Sequence, residues 1–88
     1  MIKLWQDEAW EDYLYWQTQD KRTLKRINKL IQDIERNGYN GIGKPELLKH
    51  GILSGYWSVK IDDKNRIVFR IKDRMLEIIQ CGSHYRDK

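Results

Sequence analysis

Apolar and polar positions alternate along three consecutive runs in the second half of the chain. In the first run Trp57, Val59 and Ile61 share one parity and Tyr56, Ser58 and Lys60 the other, the period-two pattern of a half-buried strand. In the second, Ile67, Phe69 and Ile71 alternate with Arg66, Arg70 and Lys72, with Val68 the one apolar residue on the polar side. Asp62-Asp63-Lys64-Asn65 supplies turn chemistry between them, and Asp73-Arg74 separates the second run from a third, Met75 to Cys81. The simplest topology is an antiparallel meander. Its third strand is apolar on both parities, which predicts an interior position and leaves open the face that His84 joins.

The first half has the longer period of helices. Ile2 to Trp5 reads as a short strand added to the meander. Asp7 offers an N-cap, with Glu8, Glu11 and Asp12 close behind, and Trp10, Tyr13, Leu14 and Gln17 recur on one side of a first helix. Thr18-Gln19 interrupts the pattern. Asp20 then caps a second helix with Leu24, Ile27, Leu30, Ile31 and Ile34 in one stripe and Lys21, Arg22, Lys25, Arg26 and Lys29 on the other side. Asn37-Gly38 is a stop signal, and Tyr39 to Pro45 reads as a loop. The expected fold is α+β, in the order β-α-α-β-β-β. Two N-terminal helices pack on one face of a mostly antiparallel sheet, whose other face is expected to be free for a ligand.

With 88 residues, the chain is expected to form one domain over 1–88, burying only about 60 to 65% of its unfolded surface. Four Trp and five Tyr are a heavy aromatic load, most of it expected in the core. The net charge of +4 is unevenly placed. Residues 1–40 carry seven basic and seven acidic side chains, whereas residues 41–88 carry ten against six. All the excess lies with the meander, so an anionic partner is expected, either nucleic acid or an acidic protein segment. The single cysteine, Cys81, excludes an internal disulfide and is expected as a packed small hydrophobe. Neither a membrane span nor a signal peptide is legible, and a cytoplasmic location is expected.

Phosphate-loop, zinc-protease and serine-hydrolase motifs are absent from the sequence, and neither His50 nor His84 has a carboxylate or thiol at metal-ligand spacing. No metal or cofactor is expected. What remains is a set of polar groups: Glu46, Lys49 and His50 after the loop, Lys60 and Arg66 flanking the first hairpin turn, and His84-Tyr85 after the third strand. Each alone reads as an ordinary surface residue. Together they include the groups that metal-free RNA cleavage requires: a base for the ribose 2′-hydroxyl, cations for the phosphate and an acid for the departing 5′-oxygen. Tyr56 or Tyr85 offers a ring on which a base can stack.

The segments Trp10 to Trp16, Asp20-Lys21-Arg22, Gly43-Lys44-Pro45-Glu46, Leu48-Lys49-His50, Leu53 to Ser58, Arg66-Ile67-Val68 and His84-Tyr85 occur in the order seen in one family. The chain resembles the YoeB toxins of bacterial toxin–antitoxin pairs, within the RelE-like group of ribosome-dependent messenger RNA interferases. The resemblance implies a microbial-ribonuclease-like fold that enters the ribosomal A site and cuts the message there. It implies Glu46 as general base, His84 as general acid and Arg66 as the cation on the scissile phosphate. Lys49 and Lys60 fall at substrate-contacting positions, and Tyr85 at the aromatic that helps place the nucleotide. Lys60 stands where arginine is usual, a point charge in place of a bidentate fork. The family also implies an acidic, partly disordered antitoxin of YefM type, a homodimer, and the ribosome and its mRNA as partners.

Two other readings fit the same residues. A non-catalytic toxin of this fold, acting by binding a target such as gyrase, arrests growth without transcript cleavage. A basic RNA-binding module depends on its Lys and Arg residues and tolerates loss of Glu46 or His84.

Overall fold

The computed structural model describes residues 1–83; His84 and Tyr85 lie outside the described residues. The elements in order are β1 (Ile2–Trp5), α1 (Asp7–Gln19), α2 (Lys21–Asn37), a 3-10 turn (Gly38–Asn40), β2 (Glu46–Leu47), β3 (Trp57–Lys60), β4 (Asn65–Lys72) and β5 (Met75–Ser83). The five strands form one sheet in the order β1-β5-β4-β3-β2, with β1 parallel to β5 and the other pairings antiparallel. The α+β layering expected from the pattern is present, and β5 is interior. The short strand β2 was not expected, because two residues cannot display a period.

α2 follows its apolar stripe: Ile27, Leu30, Ile31 and Ile34 are all buried against β-strand residues that include Val59, Ile67, Phe69, Leu76 and Ile78. Asp20 caps it, accepting from the N–H groups of Arg22 (3.0 Å) and Thr23 (3.4 Å) and from the Thr23 hydroxyl (2.7 Å). α1 differs from its expected form at two points. Its N-cap is Gln6, extended and with no side-chain cap, so Asp7 is the first helical residue and serves the helix dipole together with Glu8. Its packed face is Ala9, Tyr13 and Trp16, while Trp10 and Leu14 are 44% and 43% exposed. A helix with aromatics on every side gives no clean stripe, and packing rather than period selects the face. Thr18 and Gln19 remain helical, and the break falls at Asp20 alone.

The β3–β4 turn is held by Asp62. Its carboxylate accepts from the N–H groups of Lys64 and Asn65, both at 2.8 Å, and from the Asn65 amide at 3.1 Å. Asp73 and Arg74 both take positive φ, 53° and 62°, which suits a two-residue hairpin that continues the strand twist. β4 and β5 are not in simple register. Phe69 pairs with Ile78 and Val68 with Gln80, so Ile79 is an extra residue, a β-bulge. The bulge explains why the third run is apolar on both parities: Leu76 and Ile78 before it, and Cys81 after it, all point into the core. Cys81 is fully buried, as expected, and burial followed by the nearby Asp12 carboxylate pushes its thiol up to about 12.

The loop into β2 is seated by Gly43. A Cβ there would lie 2.5 Å from Val59 Cγ2 and 3.0 Å from Leu30 Cδ2, so the backbone rests directly on the core. Gly43→Ala is expected to cost about 1 to 3 kcal/mol through overpacking. A urea midpoint equal to that of the wild type would contradict this seating.

Asp62 supplies a second expectation. Burial works against its charge, but the hydrogen bonds from Asn65 and Lys64 outweigh that and hold its carboxyl below the usual range. A folded pKa below the unfolded one contributes stability that is present above about pH 4 and is lost as pH falls through the folded value. The turn is exposed and screened, so Asp62→Ala is expected to cost about 1 kcal/mol or less at pH 7, a Tm drop of up to roughly 4 to 8 °C. Melting curves at neutral pH and at about pH 2.5 check the sign. The difference between wild type and variant should narrow in acid, and a gap as wide there as at neutral pH refutes the account.

Candidate active site on the outer sheet face

Residues directly opposite each other in a ladder share a face, so the register fixes the side of the sheet away from the helices. Glu46 pairs with Ser58, Ser58 with Val68, and Val68 with Gln80, forming one row across four strands. Lys60, Arg66 and Gly82 form the next row. Two strand spacings place the Glu46 backbone about 10 Å from that of β4, a gap that long side chains can close around one phosphodiester.

This face is not free along its whole length, contrary to the expectation above. Ser58, Val68 and Gln80 are buried, at 1%, 2% and 3% exposure. Ile52, Leu53 and Tyr56, in and at the end of the β2–β3 loop, share a cleft of about 410 Å³ with Gln6, Asp7, Glu8, Ile79 and Gln80. The loop is tied back by Leu48 N–H to Tyr56 C=O (2.8 Å) and Gly55 N–H to Leu48 C=O (2.9 Å), which extend the β2–β3 ladder. Val68, the apolar exception in the second run, belongs to this second, smaller buried layer.

Arg66 is half-buried on β4, and its Nη1 donates to the Ser58 hydroxyl at 3.0 Å. Ser58 was not singled out from the sequence, and the signal for it was its place on the polar parity between Tyr56 and Lys60. Glu46 and Lys60 are exposed at neighbouring positions of the same face, and none of Glu46, Lys60 and Arg66 forms an ion pair among the described residues. Lys49 lies just beyond β2 in the loop, exposed, with its C=O accepting from the Ser54 hydroxyl at 3.3 Å. His50 is exposed beside it.

Tyr56 begins a different cluster. The Arg70 guanidinium lies 4.8 Å from its ring centroid, so one face of the ring is already occupied by a cation. Arg70 also pairs with Glu77, which accepts in addition from Gln6 at 2.7 Å. Burial alone would raise the Glu77 carboxyl, but the bonds from Gln6 and Arg70 hold it below its usual range. The Glu77 hydrogen bond likewise raises Arg70. The structure therefore brings Glu46, Lys60 and Arg66 onto one face with Lys49 at its border, and makes Tyr56 part of a neutralised support. Among the described residues no group of three His, Cys, Asp or Glu side chains is arranged to hold a metal ion, and no helix is long and apolar enough to cross a membrane.

Known proteins share both the sequence and this architecture. A toxin YoeB of Escherichia coli K12 is 50% identical over 85 residues, covering 97% of this chain and all of that one. A toxin YoeB of Synechocystis is 54% identical over 78 residues, 89% of this chain and 90% of the relative. Among solved structures, a YoeB/ParE toxin from Agrobacterium tumefaciens superposes with a TM-score of 0.89 at 41% identity, over 97% of this chain and all of that one. The toxin in a YoeB–YefM complex from Staphylococcus aureus gives 0.86 at 40% identity, over 97% and 98%. Escherichia coli YafQ, at 16% identity and a TM-score of 0.73, shares the fold alone. Residues 5–85 match the family described as the YoeB-like toxin of bacterial type II toxin–antitoxin systems, and the chain belongs to that family.

Proposed function

We propose that this toxin is a ribosome-dependent endoribonuclease that cuts messenger RNA in the ribosomal A site and so stops translation in the cytoplasm. The observation that carries the reading is the placement of Glu46, Lys60 and Arg66 on one sheet face, with the two cations free of ion pairs among the described residues. In this reading Glu46 takes the proton from the ribose 2′-hydroxyl, and the 2′-oxygen attacks phosphorus. Arg66 and Lys60 hold the negative charge that grows on the phosphoryl oxygens. The bond from phosphorus to the 5′-oxygen breaks, and His84 gives that oxygen its proton. Lys49 contacts the RNA backbone at the border of the site, and Tyr85 places a base. Tyr56 acts by holding Arg70 and walling the cleft.

The partners follow the same reading. The Staphylococcus aureus relative is solved with YefM and as a dimer. A cognate acidic antitoxin of YefM type and a homodimer are proposed here too. Ile2 and Leu4 on β1 and Trp10 and Leu14 on α1 are each 40% exposed or more, large apolar side chains of the kind that protein interfaces cover.

Primer extension on ribosome-bound message tests the proposal. Wild type is expected to give a discrete stop in the A-site codon, and folded Glu46→Ala, Arg66→Ala and His84→Gln variants to lose about 10²-fold or more in rate. Full cutting by Glu46→Ala and His84→Gln would mean that other residues do the chemistry. Growth arrest by a wild type that cuts nothing would establish the binding-only reading instead. A 2′-deoxy sugar upstream of the cut should abolish cleavage and leave binding nearly intact, and continued cutting would refute attack by the 2′-hydroxyl.

A further inference from the structure

Among the described residues, β1 covers the outer edge of β5 from Met75 to Ile78, and the bond from Gln6 N–H to Ile78 C=O (3.0 Å) is the last main-chain contact on that side. Beyond the bulge, β5 continues to Ser83 with β4 as its one neighbouring strand among the described residues. The open edge is closed by α1. The Asp12 carboxylate accepts from Cys81 N–H at 3.0 Å, and Trp16 Nε1 donates to Cys81 C=O at 2.8 Å. Asp12 and Trp16 are one helical turn apart and face the same way, so a rigid helix grips both backbone polar groups of one residue, as a neighbouring strand would.

We infer that Asp12 and Trp16 are positioning residues for the general acid. The inference rests on the reading of His84 given above. His84 follows the gripped Cys81 by three residues, and a strand held along both edges is fixed more firmly than one held along a single edge. A carboxylate-to-amide bond is among the stronger ties available, and a misplacement of about 1 Å in a catalytic group costs up to about 10²-fold in rate. The two side chains act through the strand, and neither takes part in the proton transfers.

The test exploits the leaving group. A model message is made with sulfur in place of the bridging 5′-oxygen at the scissile link. Its thiolate departs without a proton, so its cleavage needs the base and the cations and does not need the acid. Cleavage of both messages on ribosomes is compared for wild type, Asp12→Ala, Trp16→Phe and, as the benchmark for a missing acid, His84→Gln. On the ordinary message Asp12→Ala and Trp16→Phe are expected to slow by on the order of 10- to 100-fold, and on the sulfur message to stay within about threefold of wild type. Equal slowing on both messages, or wild-type rates on both, overturns the positioning role. If Asp12→Ala does not fold, Trp16→Phe, which keeps an aromatic ring and loses the donor, decides the matter in the same way. A wild type that cuts neither message removes the nuclease reading and this inference with it. A His84→Gln defect that sulfur does not relieve removes the acid assignment, and an intact wild-type rate distinguishes that case from the first.

Discussion

The bulge at Ile79 is the constraint on which both faces of the sheet depend. Side chains alternate strictly along a strand, so a single extra residue exchanges the faces of everything beyond it. Ahead of the bulge, Leu76 and Ile78 point to the helices and Glu77 points outward to Arg70. Past it, Cys81 points inward and Gln80 lies outside, opposite Val68. Without the extra residue, Gln80 or Cys81 would have to exchange sides, bringing an amide into the core or taking a buried thiol out of it. Because residues of one β-strand both pack in the core and support Arg70, the core and the outer face cannot be arranged independently.

The site draws its order from strands and not from its own loops. Arg66 stands in the best-paired part of the sheet, whereas Glu46 stands on a two-residue edge strand. That edge strand is kept in place by neighbours on both sides. Gly43 lies against Val59 and Leu30 just before it, and Leu48 bonds to Tyr56 and Gly55 just after it. In the proposed reading, groups held on a scaffold of this kind lose little further freedom when substrate binds, and that is the main advantage a protein site offers to ordinary carboxylates and cations.

Much of this was legible in the sequence, for identifiable reasons. The stripe of α2, the two hairpin turns and the interior position of β5 each come from patterns long enough to show a period, or from turn residues with a definite backbone preference. The candidate residues Glu46, Lys60 and Arg66 were also legible, as types suited to one reaction. What could not be read was set by tertiary context. β2 is too short for a pattern, and the face of α1 was chosen by packing among competing aromatics. The supposedly free outer face holds a buried row, because Val68, Ser58 and Gln80 meet only after three strands have been brought into register. Asp12 and Trp16 looked like one acid and one aromatic among several, and only the open edge of β5 gives them a shared task.

Arg66 and Arg70 show most directly how folding separates residues that the sequence leaves equivalent. They lie four positions apart on one strand and project from the same face, and periodicity gives them the same description. Arg70 faces Glu77, whose carboxylate also accepts from Gln6, and stacks on Tyr56, so its charge is compensated within the protein. Arg66 has for a partner the neutral Ser58 hydroxyl, which directs the guanidinium and leaves its charge intact. A half-buried cation with no counter-ion among the described residues is an unfavourable arrangement, since desolvation is incurred without the Coulombic return. In the proposed reading the arrangement becomes favourable when the scissile phosphate arrives, and it strengthens as negative charge accumulates there. A cation already neutralised by glutamate could offer little of this, because the phosphate would have to displace its partner first. The difference between the two arginines therefore lies in Glu77, which pairs with Arg70 and leaves Arg66 uncompensated among the described residues.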